Sequence, residues 1–248
     1  MPATVYLVSG ANRGIGLGLV TALATRDNVV VFAGARNPSP AKDLHALVDK
    51  YPGKVHIVKL TSCDKADNEA AIAEIKTIAG RLDVVVANAG ISQHYGPAVE
   101  TPVEQMRDHF EINVVGTLVL FQAAWPLLKA STTSPKFIPI SSGAGSITDG
   151  TSMPVGVLAY GASKAAENYL SRKLHFEHPE LVCFPISPGG VATDMAAFAF
   201  SSDENMKFMS LITVEQSASD ILKLIENSTR EKDGGRFLNH DDSKTWGW

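Results

Sequence analysis

Only two of the 248 residues are cysteine, Cys63 and Cys183, and their surroundings carry neither the spacing of a disulfide framework nor that of a metal site. Both read as packing residues of a protein kept in a reducing compartment. A basic excess is missing as well. Lys and Arg number 22 against 26 Asp and Glu, a net charge of −4 with the signs interspersed, so no cationic stripe faces a phosphate backbone or an anionic lipid. Neither nucleic acid nor a membrane is expected as a partner. No basic segment followed by a long apolar one opens the chain, and no stretch reads as long and apolar enough to span a bilayer, so a cytoplasmic protein is expected. Internal repeats and linkers rich in Pro, Gly or Ser are absent too. With 45% hydrophobic and 19% charged residues the chain has the material for one sizeable core, and residues 1–248 are expected to form a single domain.

What the sequence does have is alternation. Short β-branched runs (Val5–Val8, Val29–Ala33, Val55–Leu60, Val84–Ala87, Phe137–Ile140, Val182–Ile186 and Arg236–Leu238) predict about seven strands. Between them, segments of helical period lie around Ile15–Thr25, Ala41–Lys50, Lys65–Ala79, Val103–Leu128, Val157–His175 and Val214–Asn227. This predicts an α/β fold, a doubly wound Rossmann-type parallel sheet with helices on both faces. Right-handed crossovers bring every strand C-terminus to one edge, where such sheets bind ligands. Gly143–Pro154 and Gly189–Asp203 read as the longest irregular stretches, both at that edge.

The first strand runs into Ser9-Gly10-Ala11-Asn12-Arg13-Gly14-Ile15-Gly16 and then a helix. Gly10 suits a tight turn, Gly14 lets backbone N–H groups approach a pyrophosphate, and Gly16 allows the helix to pack closely on the sheet. A plain strand-to-helix turn is the alternative for glycines so spaced. After the second strand, where a carboxylate would bind the ribose hydroxyls of NAD, the sequence reads Ala35-Arg36-Asn37. Arg36 and Arg13 suit a 2′-phosphate, so NADPH is the expected cofactor, two solvated surface arginines being the alternative.

The landmarks Gly10–Gly16, Asn88-Ala89-Gly90, Asn113, Ser141-Ser142, Tyr160-x3-Lys164 and Pro188-Gly189-Gly190-Val191-Ala192-Thr193, in that order, give a chain that resembles the short-chain dehydrogenase/reductase family over essentially its whole length. The glycine turn and the ending Gly235–Asp241 with its terminal tryptophans are similar to those of sniffer-like and C-factor-like carbonyl reductases and of fungal norsolorinic acid ketoreductases. The resemblance implies a cofactor site made of Gly10, Asn12, Arg13, Gly14, Ile15, Gly16 and Arg36, with Asn88, Ala89 and Gly90 against the adenosine ribose. It further implies that Pro188, Gly189, Val191 and Thr193 meet the nicotinamide carboxamide and that Lys164 holds the nicotinamide ribose. The acidic residue that often follows the third strand is replaced by Leu60-Thr61-Ser62-Cys63, leaving Thr61 or Ser62 to meet the adenine.

Reducing a ketone needs a hydride at carbon and a proton at oxygen in one held geometry. A tyrosine hydroxyl is by itself a weak acid for work near neutrality, and a neighbouring ammonium favours its phenolate. Tyr160 and Lys164, four apart in a helical segment, share a face. The resemblance makes Ser142 the hydrogen-bond donor to the substrate oxygen and Asn113 the holder of a water linking the lysine to solvent. Strand alternation turns Ser141 and Ser142 to opposite faces, so only one can serve. A small carbonyl compound, apolar and of aromatic polyketide type, is the expected substrate, under an apolar stretch Met195–Phe200 that reads as a lid or as a short core helix.

His175 and His178 have a spacing that can chelate a metal on a helix, but Pro179 follows and no third ligand is evident, so no metal is expected. The family resemblance also allows a homodimer through Val103–Leu128 and Val157–His175. Two other functions remain open at this point: an NADPH-binding regulatory protein, and a reductase scaffold diverted to a non-redox cyclisation.

Overall fold

The computed structural model describes residues 2–248, with backbone alone at 207 and 208. Strands β1 (Thr4–Val8), β2 (Val29–Ala35), β3 (Val55–Lys59), β4 (Val84–Ala87), β5 (Lys136–Pro139) and β6 (Val182–Cys183) form one parallel sheet in the order 3-2-1-4-5-6. A short pair, β7 (Ile186–Ser187) with β8 (Leu238–Asn239), continues it through a bridge between Ile140 and Ile186. The order reverses on either side of β1, so the C-terminal ends of β1 and β4 flank the crevice of a doubly wound sheet.

Strand alternation divides the core in two. Tyr6, Val8, Val31, Ala33, Val84 and Val86 point to a layer filled by α1 (Gly14–Ala24), α2 (Lys42–Lys50) and α8 (Val214–Asn227). Their neighbours Val5, Leu7, Phe32, Val85 and Phe137 point to the opposite layer, filled by α3 (Lys65–Ala79), α5 (Gly116–Ser131) and α6 (Leu158–Glu177). Both faces are covered, and the strands accordingly read as near-continuous apolar runs.

Several expectations change in detail. The sixth strand, expected unbroken over Val182–Ile186, divides at Phe184-Pro185 because a proline has no N–H to give the ladder; the Pro185 carbonyl still accepts from Leu238 N at 3.1 Å. The helix expected over Val103–Leu128 is a longer rod of three parts: α4 (Val103–Phe110), a π turn (Glu111–Val115) and α5. By length and composition this 29-residue rod could cross a membrane, which corrects the reading that no stretch could. Its Leu120, Phe121, Ala124 and Leu128 are buried in the core beside α3, where their apolar character is used. Gly189–Asp203, expected irregular, holds a nine-residue helix α7 (Asp194–Ser202), started by the Thr193 hydroxyl, which accepts from Ala196 N at 3.3 Å. Gly143–Gly145 forms a 3-10 turn.

The C-terminal residues close over that turn. Ser146 Oγ donates to Gly247 O at 2.6 Å, Gly247 N donates to the Asp149 carboxylate at 3.0 Å, and Trp248 lies under the Arg172 guanidinium at 4.6 Å. His175 and His178 are engaged elsewhere: His175 Nδ1 meets Arg230 Nη1 at 3.1 Å, and His178 lies 4.4 Å from the Trp125 ring.

Two predictions concern stability. The Asp83 carboxylate, beside β4, accepts from Val5 N at 2.8 Å and takes a bidentate pair from Arg81, so it fixes the start of β1 to that of β4. Removing one partner of a buried pair leaves the other uncompensated, and Asp83→Ala is expected to cost about 3 kcal/mol in urea unfolding; a loss below ~1 kcal/mol would contradict this role. Burial holds both His109 and His175 below the ordinary value of 6.5, with the Arg230 guanidinium adding to the effect at His175. The unfolded chain takes up protons near that value which the folded chain refuses. Their contribution is therefore complete above it and is lost as the pH falls through 6.5 toward the depressed folded values. The urea midpoint should drop between roughly pH 7.5 and 5.5, above the carboxylate range, and a flat midpoint there would count against both assignments.

Candidate active site

The glycine turn leaves β1 at Gly10 with φ +61°, and α1 starts at Gly14. A Cβ at Gly16 would lie 2.4 Å from Gly10 O and 2.6 Å from Asn88 Nδ2, so only glycine lets the helix come this near. No side chain caps α1 and no acidic residue occupies its first turn, whereas Asp64, Thr193 and Thr213 cap α3, α7 and α8. The N–H groups of that first turn have no partner within the helix, and Asn12 and Arg13 beside them are exposed.

The Asn88 side chain has a structural task in the run expected against the adenosine ribose. Its amide donates to Ser9 O at 2.9 Å and Gly10 O at 3.2 Å, and the Ser9 hydroxyl accepts from the N–H groups of Asn88 and Ala89, both at 3.0 Å. The side chain binds the end of β4 to the glycine turn, leaving the backbone of Ala89 and Gly90 to face the crevice. Arg36 directly follows β2 and is exposed; Arg13 is exposed too and lies 3.5 Å from the Asp194 carboxylate at the start of α7. Thr61 and Ser62 follow β3 and are half-buried. The Thr61 hydroxyl helps hold the Asp67 carboxyl below its ordinary value, together with Lys59, so a carboxylate stands closer to this end of the crevice than the sequence run suggests.

On the other flank, Pro188–Thr193 leads from β7 into α7, and the Thr193 methyl lies 3.4 Å from where a Gly14 Cβ would be. This loop therefore overhangs the glycine turn. The Thr193 hydroxyl is occupied as the α7 cap and by Val191 O at 3.3 Å, so its approach to a carboxamide would require that hydroxyl to turn.

The polar residues expected to carry chemistry converge at the ends of β4 and β5. Lys164 is buried on α6; its Nζ donates to Ile140 O at 2.9 Å and to Glu167 Oε2 at 2.8 Å, and lies 5.9 Å from the centroid of the half-buried Tyr160 ring. A Cβ at Gly90 would fall 3.5 Å from Lys164 Nζ and 3.1 Å from Asn113 Oδ1, which puts all three together. Asn113 sits inside the π turn. Its amide pairs with both backbone groups of Ile91 (Oδ1 accepting at 2.8 Å, Nδ2 donating at 3.0 Å) and donates to Ser163 Oγ at 2.9 Å. An asparagine is a poor helix former, and the widened turn is where its side chain reaches backbone outside the helix. The two serines separate as strand alternation requires. Ser141 Oγ is buried and donates to Asn168 at 2.6 Å, while the half-buried Ser142 Oγ only accepts from Ala144 N at 3.2 Å, keeping its own proton available.

Further residues join the site without having been singled out from the sequence. Tyr95 and Ser92 share a hydrogen bond at 2.8 Å in the loop after β4, and Tyr95 meets Phe198 of α7 edge-on at 5.8 Å. Met195 and Phe198 are 38% and 48% exposed, whereas Ala199 is buried, so the apolar stretch is a half-exposed helix along the cleft. His109 Nε2 accepts from Gln93 N at 3.1 Å and Nδ1 donates to Gln105 O at 2.6 Å, a neutral imidazole that fixes the same loop to α4. Thr117 and Glu167 stand behind Lys164. Their polar character at apolar-looking helix positions was the available signal. Among the described residues no group of three or more His, Cys, Asp or Glu side chains could hold a metal.

This geometry has counterparts. Residues 4–204 match the family model described as short chain dehydrogenase. Norsolorinic acid ketoreductase nor1 of Dothistroma septosporum is 38% identical over 256 residues, spanning 99% of this chain and 92% of its own. Among solved structures, the NADPH-bound carbonyl reductase from chicken fatty liver superposes with a TM-score of 0.88 at 33% identity, and the carbonyl reductase Sniffer of D. melanogaster with 0.86 at 26%, each over the full length of both chains. With most of its length matched by the family model and its whole length by relatives, this chain belongs to the short-chain dehydrogenase family of nicotinamide-dependent oxidoreductases.

Proposed function

We propose that the protein is an NADPH-dependent reductase that converts a ketone of an apolar, aromatic polyketide-like substrate to an alcohol. The observation that carries this reading is the meeting of a buried Lys164 and Asn113 at Gly90, with the Tyr160 ring 5.9 Å from the same ammonium, at the sheet edge that also holds the uncapped start of α1. The 38% identical norsolorinic acid ketoreductase and the NADPH-bound carbonyl reductase neighbour support it.

NADPH, when bound, supplies the hydride. The first turn of α1 with Asn12 and Ile15 would hold its pyrophosphate, Arg13 and Arg36 its 2′-phosphate, Thr61 or Ser62 its adenine and the backbone of Ala89 and Gly90 its adenosine ribose. Pro188, Gly189, Val191 and Thr193 would hold the carboxamide, and Lys164 the nicotinamide ribose. An ammonium has three N–H groups, and two of those on Lys164 are used by Ile140 and Glu167, which leaves one for a ribose hydroxyl.

The chain's own residues handle the proton. Ser142 donates to the carbonyl oxygen as negative charge develops there. Tyr160 delivers its hydroxyl proton to that oxygen, and the Lys164 ammonium stabilises the phenolate left behind. Asn113, tied to Ile91 and Ser163, holds the base of this assembly still. An aromatic substrate is supported by the rim of Tyr95, Met195 and Phe198, with α7 acting as the lid. A homodimer through the rod and α6 belongs to the same proposal, supported by the exposure of Val103, Val115 and Tyr169.

Two experiments test the reading. Oxidation of NADPH is followed against a panel of apolar ketones, quinones and aromatic polyketides. Tyr160→Phe should keep NADPH binding and lose turnover by a factor on the order of 10² or more, the ordinary weight of a general acid; near-normal turnover would refute the mechanism. Arg36→Asp should raise KM for NADPH about tenfold or more beyond its effect on NADH, the weight of one charge-assisted contact, and equal effects would remove the assignment of the 2′-phosphate site.

A further inference from the structure

Behind Lys164 lies a carboxylate that the mechanism above does not use. Glu167 is one turn further along α6, and its side chain is fully buried. A buried carboxylate is rare, and this one has two polar neighbours in place: Oε2 receives Lys164 Nζ at 2.8 Å, and Oε1 lies 3.0 Å from Thr117 Oγ1 on α5. The Thr117 hydroxyl is also 2.9 Å from Asn113 O. Directed at the carboxylate, it supplies Glu167 with its second hydrogen bond.

Lys164 is just as deeply enclosed, 4% exposed in its side chain, and an ammonium so placed cannot remain charged unless something offsets the lost hydration. The neutral Ile140 carbonyl offsets part of it. A full negative charge at hydrogen-bond distance offsets far more. Burial acts to lower Lys164, Glu167 and then Tyr160 act to raise it, and the net direction is upward from 10.5. Burial also pushes the Glu167 carboxyl up, so each ion depends on the other. The groups facing the pair are Tyr160 from α6 itself, Asn113 from the π turn, Thr117 from α5 and the Ile140 carbonyl from the end of β5; of these only Tyr160 titrates.

We propose that Glu167 is a positioning residue for the reduction: its carboxylate is the buried counter-ion that keeps Lys164 an ammonium and holds it between Ile140 and Tyr160. The proposal rests on the roles given above to Tyr160 and Lys164. It also separates this chain's lysine from one that relies on cofactor and solvent alone to keep its charge, because here the charge is complete before anything binds.

The test reads the lysine directly. In protein carrying 13C-labelled lysine, the Lys164 Cε resonance, assigned by its loss in Lys164→Met, is titrated in the parent, in Glu167→Gln and in Glu167→Asp. Glu167→Gln keeps an acceptor at Lys164 and removes the charge. Lys164 should then lose its proton at least about one pH unit lower, a tenfold change in its acidity. The alkaline limb of kcat for ketone reduction should move with it while substrate KM holds, and Glu167→Asp should recover part of both. An unchanged lysine titration in Glu167→Gln overturns the proposal whatever the activity, as does a loss of kcat that is the same at every pH. If the parent oxidises no NADPH with any ketone while the titration shifts as stated, the reductase reading fails and the counter-ion stands. Should Glu167→Gln not fold, Thr117→Val, which removes only the hydrogen bond to Oε1, takes its place: a smaller shift in the same direction supports the proposal and no shift overturns it.

Discussion

A charge removed from water has to be answered within a few ångströms, and the Lys164 ammonium imposes that demand on every element around it. α6 supplies Glu167 one turn away, the end of β5 supplies the Ile140 carbonyl, and α5 supplies Thr117 to steady the carboxylate. The rod opens into a π turn where Asn113 reaches Ile91 and Ser163 beside the same lysine. Taken together, these contacts fix the spacing between sheet and helices at the point where the crevice is deepest. An apolar residue in place of Lys164 would leave Glu167 as the uncompensated ion, so the two positions are bound to each other energetically.

The cofactor side depends on a different kind of contact, backbone against backbone. Ser9 and Asn88 join the first and fourth strand ends so that the glycine turn and the Ala89-Gly90 backbone share one wall, and the Thr193 loop overhangs it. Arg13 and Arg36 stand exposed beside it, Arg13 facing the Asp194 carboxylate at 3.5 Å. Interactions of this type orient a phosphate-bearing ligand without prescribing what reacts with it, which is why related chains can keep the fold and differ in substrate. In this chain the proposed substrate side is a separate surface, where the loop holding Tyr95 meets the half-exposed helix holding Phe198.

Much of this was legible because it is local. The glycine turn, the four-residue spacing of Tyr160 and Lys164, and the opposite facing of Ser141 and Ser142 each follow from a few consecutive residues and the period of a helix or strand. Glu167 is also in plain view three residues after Lys164, on the helix face of Ala159 and Ser163, yet its partner Thr117 lies fifty positions away and meets it only in the folded chain. At Met195–Phe200 a lid and a short core helix stayed open alternatives because the run is apolar on all sides and shows no period, although Thr193 in front of α7 is an ordinary N-cap. A motif names residues and not directions, so the inward turn of the Asn88 amide to Ser9 and Gly10 is visible only in the folded chain. The sixth strand carried its own warning in Pro185.

The π turn has a consequence for anyone who would tidy this protein. His109, Asn113 and Thr117 are four apart, and in a regular α-helix each step of four overshoots a full turn by about 40°, so three such residues would spiral off a common line. The wider turn between 111 and 115 winds part of that back. The three polar side chains form a ladder of contacts, His109 to the Gln93 loop, Asn113 to Ile91 and Thr117 to Glu167. Deleting one residue there would give a more regular and intrinsically better helix, and it would break the ladder. The irregularity is the part of the rod that a stability-minded redesign should leave alone.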